Sequence, residues 1–507
     1  LKGLMLKKTE EFSNRWGIVL ASLGMAIGAG NLWRFPRLAG QYGGAFLLLW
    51  IFFLLVWSIP LLMAEFSIGK KYKQGVIGSY GNVAGKGLTW GGFFITICTL
   101  GIAFYYSVVT GWALQYLGLA MRNLFSFITG EATIADKLET NPDYLNDFWT
   151  GISSADPVTI ILYIIAILAG TYVLIKGIQK GLEKANKILI PTLFGLLLVI
   201  TIMALNMENG FKGLEYMFKI EMKHFSNPTI WIEALSQSAW STGAGWGLIM
   251  TISSYSRKKE DVVLNTFIGG FGNNTASLMA GMAILPAVFA LSATEGEAIS
   301  YLQTGNQALT FTIIPKLFAT IQGGAILSAI FFLAFFLAAF SSLLPMLELF
   351  ISNLRDMGLT RKSAAIRAAI FCIVFGFPSA WSLDVFNNQD WVWGIGLIIT
   401  GLFIIIAVLK YGPSKFMRDY IETDSDFNVP IKYFASCLVF NVALGVILIY
   451  WWMSQGYSEY PWFDANGNWN LFDVYSNASI ITQWGAALVV GLLINRYLYK
   501  KFVKKAS

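Results

Sequence analysis

Histidine is nearly absent. His224 is the only one in 507 residues, which removes any multi-His metal site and leaves little for acid–base chemistry. Cysteine is almost as scarce: Cys98, Cys372 and Cys437 lie in or beside apolar runs without a CxxC spacing, so neither a disulfide framework nor a zinc site is expected. Charge is sparse too, at 13% of residues, where a soluble domain carries about 25%. With no Ser-His-Asp set and no phosphate loop, an enzyme is not expected. What fills the chain instead is apolar: 56% of residues, with a mean hydropathy of +0.60. Runs of about 20 residues, long enough to cross a bilayer, recur throughout and leave no separate soluble domain. The formal charge of +7 sits in short clusters between these runs, which is a topology signal and not a nucleic-acid surface. The chain reads as an all-α polytopic membrane protein whose partners are the lipid bilayer and a small molecule.

Twelve spans are expected, at about 16–40, 45–69, 88–123, 157–176, 187–207, 230–256, 262–291, 323–356, 363–380, 391–410, 432–454 and 478–499. Basic clusters fall ahead of the first span (Lys7, Lys8, Arg15), after every second one, and at the far end (Lys500, Lys501, Lys504, Lys505). The opposite loops are neutral or acidic, the clearest being 124–156, with Glu131, Asp136, Glu139, Asp143, Asp147 and Asp156 against Lys137. The positive-inside rule then puts both termini in the cytoplasm, with the chain in the plasma (inner) membrane. The first apolar run is expected to be retained and not cleaved as a signal.

That run contains Gly24-Met-Ala-Ile-Gly-Ala-Gly-Asn-Leu-Trp-Arg34, followed by Phe35 and Pro36. Three glycines in seven residues cost about 1 kcal/mol each relative to Ala in a helix interior, so the helix is expected to break over residues 24–30. A broken backbone at that depth persists only where protein or a water-filled cavity satisfies it. Span six repeats the pattern in Gln237-Ser-Ala-Trp-Ser-Thr-Gly-Ala-Gly-Trp-Gly247. Glycines also serve close helix packing, but two clusters in matched positions of two five-span halves, each flanked by hydroxyl or amide groups, mark a midplane site. Neutral oxygens from Asn31, Ser241, Asn273, Ser341 and Ser342, with freed carbonyls, suit a hard monovalent cation such as Na+. Ca2+ would call for carboxylates, which are missing there.

Gly24 to Pro36 closely resembles the first-helix signature of the neurotransmitter:sodium symporter family, whose bacterial members have the LeuT fold. The likeness continues through Gly43-Gly-Ala-Phe46, Ile59-Pro-Leu61 with Glu65, Tyr105-Tyr106, Lys176 to Glu183 and on to Pro191, the span-six glycines, Asn273 and Ser341-Ser342. It implies one transporter domain over 1–507, with inverted repeats at about 16–207 and 230–410 and two further helices at about 432–499. It also implies sodium-coupled symport of a neutral amino acid by alternating access. Proton-coupled or sodium-independent transport on the same fold is the nearer alternative, and an ion channel the more distant one.

Position by position, the resemblance implies one sodium site from the Ala26 carbonyl, Asn31, Ser241, Asn273 and the substrate carboxylate. A second would use carbonyls of Gly24, Ile27 and Ala338 with the hydroxyls of Ser341 and Ser342. The substrate carboxylate would meet N–H groups at Gly28 and Gly30 and the Tyr106 hydroxyl, and the ammonium would meet carbonyls near Ala26 and Trp240–Ser241. Met25, Trp240, Gly243, Trp246, Ser342 and Met346 would wall the side-chain pocket. Position 25 is not the aspartate that monoamine carriers of the family place there. Arg34 and Asp390 correspond to the outer gate, helped by Tyr106 over Trp240, and Ser254, Tyr255 and Asp356 to the inner latch. The family's N-terminal Arg and Trp are replaced near Thr9 and Phe12, so Lys7, Lys8 or another cation is expected to serve. Ser277, Gln237, Ser241 and Asn273, with Trp50 in place of a tyrosine donor, make most of a chloride site. Glu65 is read as a partner for loop backbone.

Overall fold

The structure, a computed structural model, describes residues 10–455 and 458–503. Helix dominates because main-chain polar groups in an apolar medium must be satisfied within their own segment. Among the described residues the only β-pairing is one antiparallel bridge, Phe463 to Trp469.

Span one is two helices, Arg15–Ala26 and Ala29–Phe53. The second runs on past a kink at Gly43 (φ 56°, ψ −144°), a backbone state that only glycine adopts freely. The kink is fixed from outside by the Gly44 N–H, which donates to the Lys219 carbonyl at 2.9 Å. Span two continues through a π turn, Leu54–Ser58, to Ile59–Tyr72. Span six is likewise split, into Pro228–Thr242 and Leu248–Ser253. Among the described residues nine helices are long and apolar enough to cross a membrane, or ten if Asn477–Leu493 and Asn495–Phe502, bent by 63°, count as one span. Dividing Ala29–Tyr72 at Gly43 and joining the halves of span six accommodates the twelve expected spans.

Helix starts follow local chemistry. Asp156 caps Pro157–Ile175 through the Thr159 N–H, and Asp261 caps Val262–Leu291 through the Leu264 N–H at 2.8 Å. The long helices Trp90–Thr129 and Gly324–Asp356 pack together at the centre. At the periphery, Val158, Ile161, Ile165, Leu168 and Tyr172 form an exposed stripe at three- and four-residue spacing on Pro157–Ile175, while Tyr163, Ile167, Gly170 and Leu174 face inward. An apolar face of this kind belongs against lipid.

Candidate functional site

The break in span one is narrower than the glycine spacing suggests. Only Ile27 (φ −85°, ψ 97°) and Gly28 (φ −120°, ψ −172°) leave helical geometry; Gly24 to Ala26 form the last turn of Arg15–Ala26, and Gly30 is already in the next helix. That suffices to release the carbonyls of the last turn. Three of them converge on one hydroxyl: Ser342 Oγ is 3.2 Å from the carbonyl oxygens of Gly24, Met25 and Ile27. Ser341 Oγ is 3.3 Å from the Ile27 oxygen and 3.0 Å from that of Ala338. These five contacts share only two hydroxyl protons, so at least three pairs at any moment bring oxygen to oxygen without hydrogen between them. An oxygen-rich, proton-poor cluster of neutral groups suits a small hard monovalent cation.

A second convergence lies beside it. Asn31 caps the break by accepting the Gly28 N–H at 3.0 Å, and its amide nitrogen donates to Asn273 (2.8 Å) and to Ser277 Oγ (2.7 Å). The end of the Asn273 amide that meets Asn31 also lies 3.1 Å from the Ala26 carbonyl oxygen and 2.9 Å from that of Ser241. With oxygen at that end, three oxygens crowd together and a cation between them resolves the conflict. With nitrogen there, both carbonyls gain a donor and the bond to Asn31 is lost. The residues expected at the two sodium sites are thus brought together in two neighbouring sets.

The open loop of span six is held by charge. Glu65, fully buried, accepts the N–H groups of Gly245 (3.1 Å) and Gly247 (2.7 Å), and Thr99 Oγ1 donates to the Trp246 carbonyl at 2.7 Å. This is the loop-backbone role expected of Glu65. The positive φ of Gly243, Gly245 and Gly247 explains their residue type.

Between the two breaks lies a cavity of about 480 Å³. Of the residues expected around a substrate, Met25, Ala26, Gly28, Gly30, Tyr106, Trp240, Ser241, Trp246, Ser342 and Met346 line it. Gly243 does not: the Met25 methyl group would lie 3.0 Å from a Cβ placed there, so Met25 packs over the glycine and takes its place in the wall. The carboxylate-facing groups also differ in detail. Asn31 takes the Gly28 N–H and the Tyr106 hydroxyl accepts that of Ala29 at 2.9 Å, whereas Gly30 borders open space. The tyrosine ring beside Trp240 is Tyr105, at 6.4 Å, and not Tyr106. Trp240 and Trp246 meet edge to face at 4.7 Å.

Of the residues expected to bind chloride, Ser277 joins the Asn31–Asn273–Ser241 chain of contacts. Gln237 and Trp50 are buried with N–H groups that have no hydrogen-bond partner.

Arg34 and Asp390, the pair expected at the outer gate, are not bonded to each other. Arg34 and Asp390 both line the cavity, which extends outward to Trp452 and Tyr475, yet Arg34 pairs with Glu233 at 2.7 Å and with Ser236 Oγ at 3.0 Å. Glu233 also lies 3.7 Å from Arg37. Glu233 and Ser236 sit three residues apart on Pro228–Thr242, so one helix face offers both acceptors to the guanidinium.

Of the residues expected at the inner latch, only Tyr255 joins the main ion-pair network. Tyr255 Oη donates to Glu348 at 2.5 Å, Arg361 pairs with both Glu348 oxygens at 2.9 and 3.0 Å, and Glu10 meets Arg361 at 2.7 Å and Arg355 at 3.5 Å. Ser254 turns back on the Thr251 carbonyl, and Asp356 accepts the Gly75 N–H at 2.7 Å, ahead of Val76–Ala84. Lys7, Lys8 and Thr9 lie outside the described residues. Glu233, Glu348 and Glu10 were missed. A signal existed for Glu348, an ionisable residue inside the apolar run of span eight.

A family model described as the Sodium:neurotransmitter symporter family matches residues 9–135 and 135–505. An uncharacterized sodium-dependent transporter of Methanocaldococcus jannaschii is 29% identical over 460 residues, covering 87% of this chain and 90% of that one. The sodium-dependent serotonin transporter of Drosophila melanogaster is 24% identical over 499 residues, covering 90% and 79%. A crystal structure of MhsT in complex with L-phenylalanine is similar with a TM-score of 0.74 at 26% identity, covering 87% of this chain and 99% of MhsT. The all-α LeuT fold expected from the sequence is the architecture shared with that structure.

Proposed function

The chain belongs to the Sodium:neurotransmitter symporter family, a family of membrane transporters and not of enzymes, and from that premise we propose that it is a sodium-coupled symporter of a neutral amino acid. Its relatives are sodium-dependent transporters. The observation that carries the proposal is the pair of oxygen clusters, one around Ser341 and Ser342 and one around Asn31 and Asn273, on either side of the break and against the cavity. The ion and the zwitterion are both substrates. An amino acid carboxylate held near Gly30 and Asn31 gives a cation at the Ala26–Asn273 cluster one more oxygen, so each strengthens the other's binding, a coupling that is reciprocal. Methionine at position 25 offers no charge to pair a monoamine, which favours a neutral amino acid.

The two five-helix repeats, the two sodium sites and alternating access between an unzipped outer face and the closed inner network complete the proposal. So does the placing of both termini in the cytoplasm at the plasma (inner) membrane. Proton coupling would call for a carboxyl or amine group at the second cluster, where Ser341 and Ser342 meet carbonyl oxygens and the Tyr106 hydroxyl. The unpaired donors of Gln237 and Trp50 support chloride as a further ligand.

The test is a binding screen of the twenty amino acids by the purified protein in sodium against potassium, followed by sodium-gradient uptake into proteoliposomes. Saturable accumulation of a neutral amino acid only under an inward sodium gradient is expected. Equal uptake in potassium refutes sodium coupling. Uptake unchanged when gluconate replaces chloride refutes the chloride site.

A further inference from the structure

Asn186 is completely buried, and neither end of its amide has a hydrogen-bond partner. Leaving a donor and an acceptor unpaired inside a protein costs the desolvation of both, so the position calls for a polar occupant. It sits on Lys184–Leu205 and presses against span one at Gly24: a Cβ on Gly24 would collide with Asn186 Oδ1 and lie 2.8 Å from its Cγ. The Gly24 carbonyl is one of the three that face Ser342 Oγ. The orphaned amide therefore adjoins the carbonyl–hydroxyl cluster on its inner side.

Glu183, three residues earlier on the same helical face, repeats the arrangement one step farther in. It is buried, accepts the Ser13 N–H at 2.9 Å, pairs with Lys187 at 2.6 Å, and its Cδ would lie 2.6 Å from a Cβ on Gly17. Gly17 and Gly24 are seven residues apart, about 10 Å along a helix axis. Two glycines of span one thus face two oxygen-bearing side chains of span five, in a line from the cluster toward the closed inner network. The backbone turn that presents Glu183, Ile178–Glu183, is a π turn, a local geometry that concentrates at functional positions.

We propose that Asn186 is a relay ligand, its amide oxygen receiving the sodium ion as it leaves the Ser341–Ser342 cluster for the cytoplasm, with Glu183 the next oxygen on the route. This rests on the sodium reading above. A neutral amide oxygen binds a cation weakly enough to pass it on, and the Glu183 carboxylate is restrained from trapping it by Lys187 and Ser13.

The experiment compares wild type with Asn186→Leu, which keeps the shape without polar atoms, and with Asn186→Asp, which keeps an oxygen and adds charge. Equilibrium binding of radioactive sodium is measured on purified protein, and its release on dilution from vesicles oriented with the cytoplasmic face outward. Asn186→Leu is expected to hold sodium affinity within about threefold while slowing release about fivefold, the change given by a barrier higher by about 1 kcal/mol. Asn186→Asp is expected to bind sodium more tightly, and it carries the test alone if Asn186→Leu does not fold. Wild-type release in Asn186→Leu, or unchanged affinity in Asn186→Asp, overturns the relay and leaves a buried water as the amide's partner. A tenfold loss of affinity in Asn186→Leu also overturns it, since the amide is then a resident ligand. Wild type that binds no sodium removes the transport reading itself, whereas sodium binding lost in Ser342→Ala with the Asn186 variants unaffected removes only the relay.

Discussion

Replacing Glu65 by glutamine tests whether one buried carboxylate holds the open loop of span six. The carboxylate takes two N–H groups, from Gly245 and Gly247. Glutamine presents one oxygen and one NH2 to the same pair. One charge-assisted bond is lost, worth about 1.5–3 kcal/mol, and a buried N–H is left facing another donor, which costs about 1–3 kcal/mol more. The lower ends together, about 2.5 kcal/mol, are a shift of roughly seventyfold in the population of the observed loop. The loop supplies Trp246 to the cavity wall and follows the helix Pro228–Thr242, whose last turn carries Ser241. Apparent affinity falls with the fraction of molecules in the competent state, so sodium binding to purified Glu65→Gln is expected to weaken by at least about tenfold. Glu65→Leu, which removes both acceptors, is expected to be worse. If Glu65→Gln binds sodium within twofold of wild type and melts at the same temperature, the loop is held by something other than this carboxylate.

Gly28→Ala places a Cβ 2.7 Å from the Tyr106 hydroxyl and 2.8 Å from Ser342 Oγ at a φ that alanine tolerates. Sodium and amino acid binding should fall by about tenfold or more with little change in thermal stability, and wild-type affinity would show that the two hydroxyls do not need their places. Arg361→Leu leaves Glu348 buried without its bidentate partner, a loss of about 3–5 kcal/mol, and should shift the protein toward an inward-open state. A cysteine at Ser254 would report this by faster labelling from the cytoplasmic side, with little background because the three native cysteines are buried; an unchanged rate refutes the seal. Glu233→Gln frees Arg34 for Asp390. The pair is partly exposed and worth about 1 kcal/mol or less, so a cysteine at Asn306, which lines the cavity, should label a few-fold more slowly from outside, and no change would mean that Glu233 does not compete for Arg34.

The sequence made the breaks visible because glycine is costly in a helix, and it singled out the proposed ion ligands because hydroxyls and amides are rare at that depth. The extent of the first break was not readable: Gly24 and Gly30 stay helical, one giving room to Asn186 and the other bordering the cavity. Which wall each residue forms depends on side-chain packing, and Gly243 was misplaced because Met25 folds over it. The ion pairs were least legible. Arg34 has two carboxylates within its helix neighbourhood, and spacing along the chain does not say which one it meets. Glu348 and Arg361 are 13 positions apart across the turn from span eight to span nine, where a basic cluster reads as topology before it reads as a gate.

The inner seal reaches ahead of the first helix. Glu10 grips Arg361, and the Phe12 N–H donates to the Tyr255 carbonyl at 3.0 Å, both upstream of Arg15. In the proposed transport cycle this segment is a moving part, and trimming back to the helix deletes one side of it. Variants meant for turnover measurements should leave residues 10–12 intact.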